Sequence, residues 1–79
     1  MFKEKSIYRH DTAKDLDIKI VKVIHLNENR VKLKINWINA TTGRIMILPD
    51  GSLTDKIEVS TSDFQYWKQV KDKHANNGV

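Results

Sequence analysis

Val31-Lys32-Leu33-Lys34-Ile35-Asn36-Trp37 alternates apolar and polar residues without a break. A two-residue period of this kind fits a half-buried β-strand and no helix. Val31, Leu33, Ile35 and Trp37 are expected to pack, with Lys32, Lys34 and Asn36 in water. Just upstream, Leu16, Ile18 and Ile20 keep the same period, but Val21, Val23, Ile24 and Leu26 fall out of phase with it. A register that flips within a strand predicts a β-bulge or sharp bend between Val21 and Ile24, the device that curls a long strand. Asn27-Glu28-Asn29-Arg30, with asparagines that tolerate left-handed backbone, reads as the hairpin turn that makes strands 16–26 and 31–38 neighbours.

Outward from this hairpin, a short first strand is expected at 6–9, followed by the polar loop His10-Asp11-Thr12-Ala13-Lys14-Asp15. Downstream, Asn39-Ala40-Thr41-Thr42-Gly43 is a turn, and the short apolar run Arg44-Ile45-Met46-Ile47-Leu48 reads as a buried strand over 44–48. Pro49-Asp50-Gly51-Ser52 has the residues of a tight β-turn, after which strand 56–59 points Ile57 and Val59 inward. Ser62-Asp63-Phe64-Gln65 matches a capping box and predicts a helix over 63–74. Phe64, Trp67 and Val70 or Lys71 would share one face of it, Lys71, Lys73 and His74 would sit in its last turn, and Asn76-Asn77-Gly78 would end it.

The expected fold is therefore mainly β (β-rich α+β): a four- to five-stranded antiparallel meander with one C-terminal helix, in a single domain spanning 1–79. A meander with a bent second strand can curl into a small barrel that resembles the SH3-like or Tudor-like folds. The alternative is an open curved sheet plugged by Phe64 and Trp67. The acidic loop and paired aromatics of peptide-binding SH3 domains are absent from the sequence.

Composition narrows the function classes. Of the 79 residues, 39% are hydrophobic and 30% charged, which suits a folded domain with a small core. There is no cysteine, so disulfides, thiolate metal sites and thiol nucleophiles are excluded together. With so small a core, association with a second copy is a natural way to gain stability. The N-terminal residues precede no apolar run of signal-peptide length and no stretch reaches membrane-span length, so the expected location is cytoplasmic, with no membrane partner. Fourteen Lys and Arg against ten Asp and Glu give a net charge of +4, which favours nucleic acid or an acidic protein face as partner.

The residues that could carry chemistry are scattered. His10, His25 and His74 have no metal-ligand spacing, and Asp11, Asp15 and Asp17 read as a solvated strand edge neutralised by lysines. Ser60, Thr61 and Ser62 suit capping, and Gly43, Gly51 and Gly78 are isolated turn or cap glycines, so no phosphate-cradling loop is present. No catalytic residues, cofactor, metal or small-molecule substrate are implied, and an enzyme is not expected.

Two surfaces remain. Phe64, Tyr66 and Trp67 place three of the six aromatics within four residues, so they cannot all face one core; Tyr66 and Trp67 beside Lys68 could dock another protein or a second copy of the chain. Lys32 and Lys34, with Lys19 or Lys22 on the neighbouring strand and Arg30 at the hairpin tip, could instead contact phosphates. Tyr8 and Tyr66 are the aromatics freest to be exposed for base stacking. The first surface makes the chain a non-catalytic protein-interaction module (an adaptor, accessory subunit or inhibitor by occupancy), the second a nucleic-acid-binding protein.

Overall fold

The alternating stretch lies in the third of five strands. The computed structural model describes residues 1–47 and 55–71, with β1 (Ile7–His10), β2 (Leu16–Asn27), β3 (Arg30–Asn39), β4 (Lys56–Ser60) and β5 (Trp67–Val70) in one antiparallel sheet. The strand order is β4-β3-β2-β1-β5, and a 3-10 turn, Thr61–Tyr66, leads from β4 to β5.

β2 and β3 pair along almost their whole length, from Leu16 opposite Asn39 to Asn27 opposite Arg30. Ile20 faces Ile35, but the next pair is Lys22 with Lys34, so Val21 is the extra residue of a bulge. The bulge lets Ile18 and Ile20 on one side of it and Val23 on the other reach the same face. It lies where the hydrophobic phase breaks in the sequence. At the hairpin tip the Asn27 side chain accepts from the Asn29 amide at 2.8 Å, and the Thr61 amide donates to the Asn29 carbonyl at 2.8 Å, tying the tip to the 3-10 turn.

The inner face of the sheet carries the core. Val31, Leu33 and Ile35 of β3, Ile18 and Ile20 of β2 and Tyr8 of β1 are all buried, and Val23, Trp37, Ile57, Val59, Phe64 and Trp67 pack around them half-buried. Phe2 closes one end, packing edge-to-face on Tyr8 and Phe64 with ring centroids 4.9 and 4.8 Å apart. The Lys3 amide donates to the Tyr8 hydroxyl at 2.9 Å, which satisfies the phenol that burial would otherwise strand. Between Phe2 and β1 the chain turns sharply with Lys5 at φ 71°, a left-handed conformation unusual for a side chain with a Cβ.

Three expectations need correction. The run at 44–48 is no buried strand in its described part: it makes one β-bridge, Ile45 to Ile38, and Ile45 and Ile47 are exposed. The Met46 amide donates to the Trp37 carbonyl, so the segment only brushes the end of β3. The helix expected over 63–74 is replaced, through residue 71, by the 3-10 turn and strand β5. Ser60, two residues earlier than the predicted cap, accepts from the Ser62 amide, and the Trp67 amide closes on the Phe64 carbonyl. An open edge on β1 then offers 67–70 a full antiparallel partner, and sheet hydrogen bonding wins over helix propensity. Tyr8, expected to be free for stacking, is buried in the core. The Pro49-Asp50-Gly51-Ser52 turn and the residues from 72 onward, including Lys73, His74 and Asn76-Asn77-Gly78, lie outside the described residues.

Candidate functional site

Because directly paired residues share a face, the register places the candidate basic residues. Lys22 of β2 stands opposite Lys34 of β3, which stands opposite Lys56 of β4, so three lysines form a row across three strands on the outer face. All three are exposed. One step along, Ile24, Lys32 and Glu58 form the next row, and Arg30 lies beside Ser60 at the hairpin end. Arg30 pairs with Glu58 at 3.6 Å, both side chains about half exposed, whereas Lys22, Lys32 and Lys34 form no ion pair among the described residues. Lys19 shares this face but sits below the bulge, opposite Asn36 and Ile7, half-buried. The sheet thus gathers Lys22, Lys32 and Lys34, adds Lys56, leaves Arg30 partly neutralised, and sets Lys19 apart.

Tyr66, Trp67 and Lys68 are separated by the strand period. Trp67 turns inward, edge-to-face against His10 at 4.8 Å and within 5.9 Å of Phe2. Tyr66 stays 45% exposed at the junction of the 3-10 turn and β5, its carbonyl accepting from the Asp11 amide. Lys68 points to the outer face, opposite Arg9 of β1.

The outer face near that end holds what the sequence did not reveal. Ile7 and Ile38 are buried there, and with Arg9, Asp17, Ala40, Gly43, Val70 and Lys71 they enclose a crevice of about 30 Å³. Asp17, expected at a solvated edge with lysines as counterions, is 4% exposed and takes a two-pronged hydrogen bond from Arg9, Nε to Oδ1 at 2.7 Å and Nη2 to Oδ2 at 3.1 Å. That bond and the carboxylate charge hold the Arg9 pKa above its ordinary value. Adjacent to this pair, Arg9, His10, Asp11, Ala13, Lys14, Lys68 and Val70 line an open cleft of about 460 Å³. The adjacent apolar residues Trp37-Ile38 break strict alternation and are a sequence sign of burial on both faces at this end, while the ion pair itself is seen only in the fold.

Among the described residues no three His, Asp or Glu side chains converge as a metal site, and no helix is long and apolar enough to cross a membrane. His10 Nδ1 accepts from the Thr12 amide at 3.1 Å and lies 2.8 Å from the Thr12 hydroxyl, a local loop arrangement. Comparison of the chain with protein-family models, curated proteins and solved structures finds no match.

Proposed function

We propose that this chain is a non-catalytic binding module whose outer β2–β3–β4 face takes the phosphate backbone of a nucleic acid. The observation that carries the reading is the direct cross-strand facing of Lys22 and Lys34, extended by Lys56. Like charges directly opposite one another work against the fold, and an anion that bridges them removes the penalty. Sidewise spacing of neighbouring strands, roughly 5 Å, sets the cations at a pitch that a flexible single strand can follow. Ile24, exposed one row on, supplies an apolar contact beside the lysines. The five-stranded sheet is not closed, and its bulged β2, paired with β3 on one side and β1 on the other, and the 3-10 turn before β5 support reading the fold as SH3-like.

Fluorescence anisotropy with a labelled single-stranded oligonucleotide at low and moderate salt tests the proposal. Lys22→Glu with Lys34→Glu should weaken binding at least about tenfold and flatten the salt dependence, by about one unit of log–log slope for each phosphate no longer neutralised. Unchanged affinity in the double variant would sink it.

The docking of a protein at the 66–68 corner is the second reading, favoured by the exposure of Tyr66 and of Lys68. Light scattering and Tyr66→Ala separate the two: association that survives this substitution does not run through that corner.

A further inference from the structure

Independently of the lysine row, we infer that the cleft at the β1–β5 end binds a small organic anion, a phosphomonoester, through Arg9, Lys14 and Lys68. Three features converge. The Arg9 guanidinium is fixed by Asp17 through Nε and Nη2, and its Nη1 makes no hydrogen bond among the described residues. A buried carboxylate that clamps one edge of an arginine holds the other edge in a set direction, so little side-chain freedom is lost when a ligand binds. Lys68 stands directly opposite Arg9 across the β1–β5 pair, and Lys14 comes from the loop that folds over the same opening.

The chemistry of the lining defines the ligand. Lys14 and Lys68 join an Arg9 already paired with Asp17, and with Asp11 as the further carboxylate a single net positive charge is left over a space of about 460 Å³, a volume in the range of small-molecule sites. An anion answers that charge, and an arginine edge joined by two lysines suits phosphate oxygens. Ala13 and Val70 give the ester's carbon body an apolar wall. The phosphomonoester could be a free small molecule or the 5′-terminal phosphate of a strand.

Amide and arginine side-chain NMR shifts on the full chain, titrated with a nucleoside 5′-monophosphate, the parent nucleoside and a 5′-phosphorylated oligonucleotide, test this. Saturable shifts confined to residues 9–14 and 67–70 with the monophosphate, absent with the nucleoside, are expected. Lys14→Gln with Lys68→Gln, both at exposed positions that leave the Arg9–Asp17 pair intact, should weaken binding about tenfold or more. Lys22→Glu with Lys34→Glu should leave the monophosphate affinity unchanged. In the Lys22→Glu/Lys34→Glu variant, a site for strand ends would show the 5′-phosphorylated oligonucleotide shifting residues 9–14 and 67–70 at lower concentration than the monophosphate does, and a metabolite site the reverse. Non-saturating shifts, or equal affinity in the Lys14/Lys68 variant, would overturn the assignment.

Discussion

Asp17 is the residue whose environment departs furthest from what its neighbours in sequence suggest. A carboxylate on the outer face of a half-buried strand ordinarily meets water, yet Asp17 is enclosed and served by Arg9. Removing only the arginine would leave a desolvated carboxylate without its donor, the costly half of breaking such a pair. Arg9→Met is therefore expected to destabilise the chain by about 3 kcal/mol, while Arg9→Met with Asp17→Leu should recover much of that loss; urea unfolding of the two variants checks it. An arginine pKa raised by its partner contributes stability that is complete below the ordinary arginine range and fades only above it, so from the arginine side the pair is no switch near neutrality. Phe2 is the counterpart in the core. It sits alone between Met1 and Lys3-Glu4-Lys5, with no periodicity to mark it, and only the fold shows that it plugs the aromatic end.

At the scale of elements, periodicity was a dependable guide where one face of a strand is buried and the other wet. It located β2 and β3 within a residue or so at each end, as well as the bulge, because a slip there would carry Leu33 and Ile35 into water. It failed at 44–47, where an apolar run makes a single bridge to the end of β3 instead of a ladder, and at 63–71, where a good local cap was outweighed by a vacant edge on β1. Edge availability is a property of the assembled sheet, and no local pattern reports it. The candidate basic surface was half legible for the same reason: alternation gave Lys32 and Lys34, while the facing of Lys22 and the addition of Lys56 came from register. Lys34→Gln removes the middle charge of the row. It should raise unfolding stability by about 0.2–1 kcal/mol and lower oligonucleotide affinity at the same time, and thermal melts paired with anisotropy would read both. A lysine kept at a cost to the fold would be shown by opposite signs of the two effects.

For the molecule as a whole, stability rests on pairings between distant parts of the chain. β1 lies between β2 and β5, with Ile7 opposite both Lys19 and Val70, and the Thr61 amide reaches back to Asn29. Closing such long loops is entropically slow, so refolding followed by tryptophan fluorescence should fall in the millisecond-to-second range rather than microseconds. A microsecond phase carrying the whole amplitude would contradict the topology.

The position of β1 also bears on how the protein is made. Its inner edge has a partner once the β2 segment is synthesised, but its other edge stays bare until Trp67–Val70 has left the ribosome. Between synthesis of the β2 segment and that of Trp67–Val70 the nascent chain therefore exposes an unpaired strand that carries Tyr8 and lies close to Phe2, a sticky template for neighbouring polypeptides. Slow decoding between the β2 and β5 segments would prolong that exposure, so yield of native protein should depend on chaperone supply.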